Sequence, residues 1–330
     1  MATQTFPHRI VLIADRIGTF VNVTLQSDNL EFTEEAYYNA LYNGLRNISR
    51  EVVHYDDPYS FINNITQHKN DIVFSIWSGR KSRNRRALIP SICESYHIKY
   101  VGGDTYANII CQDKAMSKEF CKKHGMASPD YYIASSKIQI SDLRHLKTPL
   151  VIKPNFEGGS IGIAESNLKL SYEDACDLAN ELYGIYHQDI MIEEFVPGRE
   201  VSIVLSGTIE NIKLCEAVEI VYNDGSSGLH DRLYSYEIKK EDETNVYNKL
   251  ITNDLPESVL KCAKNIFQLL GKVENLRIDG RLNDTAFSVI ELSPDIFYGV
   301  DGTFACAFLE TGFTYEQMLG ILLENVLMTN

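Results

Sequence analysis

Apolar and polar positions along the chain fall into two registers, short aliphatic runs and longer stripes of helical period. Arg9-Ile-Val-Leu-Ile-Ala14 is a continuous aliphatic run, as expected of a strand buried on both faces. Thr33 before Glu34 and Glu35 suits an N-cap and an acidic first turn, so a helix is expected to about Asn47. Further strands are expected at Val52–Tyr55, Asp71–Ile76 and Lys99–Val101, with a helix at Ala87–Tyr96 before the last and Gly102-Gly103 after it. Strands alternating with helices predict a parallel sheet covered on both faces, with functional loops beyond the strand C-termini.

The pattern then changes. A helical stripe at Gln112–His124 ends at Gly125, and Pro129 opens a strand at Tyr131–Ile133. Val151–Glu165 reads as an apolar strand ending in Lys153-Pro154, a glycine-rich loop and a second apolar strand. Ser171 and Asp174 resemble a capping box for a helix to Gly184. A strand then runs from Asp189 into Glu193-Glu194, and a turn at Pro197-Gly198 leads to another ending at Leu205. Pro256 opens an amphipathic helix that stops at Gly271. Leu276–Asp279 and Phe287–Leu292 form a hairpin turned at Asn283-Asp284, and Thr314–Met328 is a helix with a capping box.

Composition narrows the class. With 330 residues, 44% hydrophobic and 23% charged, the chain suits a globular protein of two or three domains. A formal charge of −14 argues against nucleic acid or an anionic membrane as partner. Seven scattered cysteines, never spaced C-x-x-C, fit reduced thiols better than disulfides or zinc. The apolar run Ile10–Ala14 is too short for a signal peptide, and no later run could span a bilayer, so a cytoplasmic location is expected.

Three places carry candidate chemistry. Gly158, Gly159 and Gly162 let successive N–H groups converge on an oxyanion, with Lys153 adding a charge; a plain tight hairpin remains the alternative. Arg80, Lys81, Arg83, Arg85 and Arg86 put five basic residues in seven positions, a solvated loop or an anion site. Arg277, Asp279 and Glu291 lie where one hairpin face would present them together, as a site or as a surface salt-bridge cluster.

In order, Lys114, Lys153 with Gly158-Gly159-Ser160, Glu193, Glu200, Arg277-Ile-Asp279 and Glu291 resemble the ATP-grasp superfamily, most closely its D-alanine–D-alanine ligase-like branch. The resemblance runs from about Cys111 to the C-terminal helix. It implies an α/β fold with a pre-ATP-grasp parallel-sheet domain at 1–111, a small ATP-grasp subdomain at 112–189 and a large one at 190–330. It also implies ATP and magnesium (or manganese) as cofactors, and amide formation between small-molecule carboxylate and amine substrates through an acyl phosphate. A homodimer stays open.

Residue by residue, the resemblance places Lys114 and Lys153 on the α- and β-phosphates and Gly158-Gly159-Ser160 over the γ-phosphate. Glu193, Glu194 and Val196 would meet adenine, Glu200 the ribose, and Lys239 a further phosphate. Asp279, Glu291 and Ser293 would hold metal, with Asp295 as a substitute ligand, and Arg277 would stabilise the acyl phosphate. Lys153, Gly159, Ser160 and Arg277 form the expected catalytic set.

Departures shape the rest of the expectation. Ser293 stands where the branch carries Asn, and Asp15-Arg-Ile-Gly-Thr-Phe20 and Trp77-Ser-Gly79 replace its N-terminal substrate signatures. From these follows the expectation of a ligase for an acidic or amino-acid-like substrate in specialised metabolism, not D-alanyl-D-alanine synthesis. Arg80, Arg83 and Arg86 would read the extra acidic group. A nucleotide-binding pseudo-ligase is the alternative, disfavoured because Arg277 is retained.

Overall fold

A computed structural model of the chain describes residues 6–16, 33–79, 82–222, 229–235, 238 and 246–329. The N-terminal strands β1 (Phe6–Ile13), β2 (Ser49–Tyr55), β3 (Ile72–Ser75) and β4 (Lys99–Tyr100) form a parallel sheet in the order β2-β1-β3-β4. The aliphatic run of β1 is explained by burial on two sides. Ile10, Leu12 and Ala14 join one core, and Val11 and Ile13 the other. The first core is covered by helices Glu35–Ile48 and Tyr315–Met328, the second by Pro58–Asn64 and Leu88–Ser95.

The stripe expected at Gln112–His124 is the helix Lys114–Lys123, preceded by a separate helix, Thr105–Gln112, that the expectation did not include. Asp113 separates them with an extended backbone (ψ 104°), and its carboxylate caps the second by accepting from the Met116 N–H at 3.1 Å. Gly125 closes that helix at φ +89°, as its position implies.

A second sheet is antiparallel, in the order β5-β8-β6-β7: β5 (Tyr131–Ala134), β6 (Leu150–Pro154), β7 (Leu168–Lys169) and β8 (Ile190–Glu194). Helix Tyr172–Tyr186 packs on it through Ala175, Ala179 and Leu182. The second apolar strand expected after the glycines is absent; β7 lies further on and pairs with Leu150 and Val151. The reason is the run of left-handed backbone at Gly159, Ser160 and Gly162 (φ 60°, 62° and 73°), which folds the segment into turns. A Cβ at Gly162 would meet the Pro154 ring and the Tyr186 hydroxyl at 2.8 Å, so the tight return needs glycine.

The third sheet runs β11-β10-β9-β12-β13, all antiparallel: β9 (Arg199–Gly207), β10 (Ile212–Tyr222), β11 (Val246–Leu250), β12 (Asn275–Asn283) and β13 (Ala286–Ser293). The sequence reading had not identified β10, β11 or the helix Thr303–Leu309. Helix Glu257–Leu269 covers one face through Ala263, Ile266 and Phe267. Among the described residues, no helix is long and apolar enough to cross a membrane.

Candidate functional site

A cleft of about 1290 Å³ lies between the antiparallel sheets and opens toward the parallel one. Lys114, Lys153, Gly158, Gly159, Ser160, Glu193, Glu194, Val196, Glu200, Arg277, Asp279, Glu291 and Ser293 all line it.

Lys153 is placed by pairing. Val151 lies opposite Glu193 and Lys153 opposite Met191, so Lys153 and Glu193 are diagonal neighbours on one face. The Lys153 ammonium is buried and donates to Glu193 Oε1. Glu193 Oε2 takes a second ammonium, Lys118 Nζ, at 2.8 Å. Lys118 is wholly buried and also donates to the Val289 carbonyl at 3.2 Å. Burial alone would raise the Glu193 carboxyl, yet Lys118 and Lys153 bring it below its usual range. Burial is the larger influence on Lys118 itself, bringing its ammonium down to about 8 despite Glu193.

Lys118 was missed by the sequence reading. Its signal is a lysine one turn after Lys114 on the same buried face as Ser117 and Cys121. The Glu193 side chain is thus the shared counter-ion of two lysines. Glu194 turns its carboxylate to the Lys147 N–H at 2.8 Å, and Glu200 pairs with the buried Arg281 at 2.7 Å.

Lys114, at the start of its helix, donates to the Glu157 carbonyl and pairs with Glu291 at 3.2 Å. Across the sheet Asp279 is the register partner of Glu291, and Arg277 that of Ser293. Arg277 grips Asp279 with bonds of 2.7, 3.0 and 2.8 Å, and the Ser202 hydroxyl donates to Asp279 Oδ1 at 2.6 Å. Burial raises the Glu291 carboxyl, but Lys114, Lys153 and Arg277 outweigh it and hold the group well below the usual carboxylate range. Asp279, Glu291 and the Ser293 hydroxyl could supply oxygen donors, with Glu291 ionised at neutral pH. Such a set suits a hard divalent cation and not zinc. Among the described residues no group of three or more His, Cys, Asp or Glu could hold a metal alone.

The glycine-rich loop crosses the cleft, and the Ser160 hydroxyl donates to the Tyr234 carbonyl at 3.1 Å. The described arginines of the basic cluster take separate places. Arg80 lies outside the described residues, as does Lys239 from the phosphate set. Arg83 is exposed and does not line the cleft. Arg85 is buried against Glu157 at 3.1 Å, and Arg86 lines the cleft but pairs with Asp295. Asp295, offered as a substitute metal ligand, is thereby occupied by an arginine.

Comparison with known proteins bears on these assignments. Residues 120–324 match the family described as D-ala D-ala ligase C-terminus. A D-alanine–D-alanine ligase of Pediococcus pentosaceus is 31% identical over 67% of this chain, the match spanning 59% of that ligase. One of Aquifex aeolicus is 28% identical over 74% of this chain and 78% of its own length. The crystal structure of a Bacillus anthracis D-alanine–D-alanine ligase complexed with ATP superposes with a TM-score of 0.73, at 16% identity over 97% of this chain and 98% of that one.

The exclusion of D-alanyl-D-alanine synthesis, and the acidic substrate of specialised metabolism in its place, are overturned by these relatives. The exclusion rests on Asp15–Phe20, on Trp77-Ser-Gly79 and on the basic segment after it. Most of the first lies outside the described residues, and the arginines of the last that face inward are spent on Glu157 and Asp295. With the ATP-grasp fold and the family match over residues 120–324, the chain belongs to the D-alanine–D-alanine ligase family of ATP-grasp, C–N bond-forming ligases.

Proposed function

We propose that the chain joins two molecules of D-alanine in the cytoplasm, at the expense of ATP and through an acyl phosphate. The observation that carries this reading is the convergence, in one cleft, of Lys114, Lys153 and the Gly158-Gly159-Ser160 loop with Arg277, Asp279 and Glu291. Joining a carboxylate to an amine needs an activated carboxylate, and phosphoryl transfer is catalysed chiefly by positioning and charge neutralisation. The cleft is lined with groups suited to both.

In this reading Lys114 and Lys153 hold the α- and β-phosphates, and the glycine-rich loop closes over the γ-phosphate. Glu193, Glu194 and Val196 face the adenine, and Glu200 the ribose. Arg277 stabilises the charge of the acyl phosphate and of the tetrahedral species that follows. Asp279, Glu291 and Ser293 would hold magnesium, which neutralises phosphate charge when bound. The ion pairs Lys114–Glu291, Lys153–Glu193 and Arg277–Asp279 balance and orient each charged group. Each cation would trade part of its carboxylate contact for a phosphate oxygen, so little rearrangement is needed.

The test is ADP release with magnesium and ATP, comparing D-alanine with L-alanine and succinate. Release is expected with D-alanine and at least about tenfold slower with the others. Equal release with all three, or none with D-alanine, would overturn the substrate assignment.

A further inference from the structure

The arginines of the segment ending at Arg86 have no part in the proposed reaction, yet Arg86 lines the cleft and Arg85 is buried against Glu157, a lining residue. The Arg85 side chain is 4% exposed, and its Glu157 partner 1%. Gly79, at φ +87°, makes room for it, since a Cβ there would lie 2.5 Å from Arg85 Cβ. The contact is reinforced beside it. Gln112 donates through one amide nitrogen to the carbonyls of Ser82 (3.4 Å) and Phe156 (3.3 Å), and its oxygen accepts from the Arg86 N–H at 3.5 Å.

Glu157 is the residue through which this network reaches the phosphate side of the cleft. Its Oε1 accepts from Gln188 at 2.7 Å, and the oxygen of the same amide accepts from the Phe156 N–H at 2.9 Å. Its backbone carbonyl accepts from Lys114 Nζ. A buried ion pair adds little net stability over apolar residues of the same size, so stability alone gives no reason for this one.

We propose that Arg85 is a positioning residue. By clamping Glu157 it fixes the stem of the glycine-rich loop, and with it the carbonyl that orients Lys114. The parallel-sheet part of the chain is thereby tied to the phosphate side of the cleft, and Arg86, through Asp295, ties it to the segment following Ser293 on the opposite wall. The inference rests on the ligase reading for its consequences, though the clamp itself does not.

The experiment compares wild type, Arg85→Met, Arg85→Lys and the uncharged pair Arg85→Met/Glu157→Gln. It measures binding of a non-hydrolysable ATP analogue and of adenosine, together with hydrogen exchange over residues 156–164. Arg85→Met is expected to weaken the analogue about tenfold while adenosine binding holds, with partial recovery in Arg85→Lys. Exchange at Phe156–Gly158 should quicken even without nucleotide. The uncharged pair should regain thermal stability, because no buried charge is stranded, and still bind the analogue weakly.

Analogue affinity restored in the uncharged pair would overturn the proposal, since charge balance and not position would then be the role. So would unchanged affinity and exchange in a folded Arg85→Met. A wild type that binds no analogue would count against the nucleotide reading. The clamp would then be judged by exchange alone, upheld if the stem quickens in Arg85→Met and rejected if it does not.

Discussion

Lys153→Ala is expected to lower turnover by about 10²–10³-fold at saturating substrates, with the fold retained. Lys153 is almost fully buried near the end of β6, and its ammonium is held by the Glu193 carboxylate, which Lys118 also holds. Removing its ammonium therefore leaves Glu193 neutralised by one lysine, and the sheet keeps its register. What is lost is a fixed positive charge at the mouth of the glycine-rich loop, where the proposed reaction transfers a phosphoryl group. Circular dichroism should match wild type while kcat falls more than the apparent affinity for ATP changes. A kcat within a factor of about three of wild type would remove Lys153 from the phosphate cradle.

Arg277→Met should be nearly as severe, and for a different reason. Arg277 is bound bidentately to Asp279 and sits opposite Ser293 at the end of the carboxylate face. In the proposed reaction its guanidinium meets charge that develops only as the acyl phosphate forms and is attacked. The loss should thus fall on kcat by about 10²-fold or more, leaving the KM for ATP near its original value. A change confined to the KM for ATP would make Arg277 a nucleotide-binding group instead.

The parts of the site legible in the sequence were those in which neighbouring residues carry the information. The Lys153-Pro154 strand end, the Gly158–Gly162 loop and the Arg277/Asp279 alternation each lie within a few residues. Strand and turn periods then bring Asp279 and Glu291 to one face, as their cross-strand pairing confirms. Less legible were interactions set by distant partners. Arg85 looked like one more charge in a basic loop because Glu157 is 72 positions away, and only the folded chain brings the two together. Lys118 is one of several lysines on its helix, and its role appears only where β8 sets Glu193 against it.

Local conformation misled once, at the glycines. Ile161 and Ile163 have the alternation of a strand, but left-handed backbone at Gly159, Ser160 and Gly162 overrides it. Strands β10 and β11 went unrecognised because β10 carries charged residues, Lys213, Glu216 and Glu219, among its apolar ones. One of these, Glu219, is buried and takes the Arg199 guanidinium at 2.6–2.9 Å, so a buried charge interrupts what would otherwise read as a core strand. Folding also weakened the argument for an acidic substrate, since of the arginines assigned to it Arg86 meets the protein's own Asp295 and Arg83 is exposed away from the cleft.

In the proposed reaction ATP phosphorylates the carboxylate that becomes the amide. Incubating the protein with magnesium, ATP and D-alanine labelled with oxygen-18 in its carboxylate, then weighing the products, tests this most directly. One labelled oxygen should appear in inorganic phosphate for each D-alanyl-D-alanine formed. Dipeptide formed with no label in phosphate, or phosphate released without dipeptide, would contradict it.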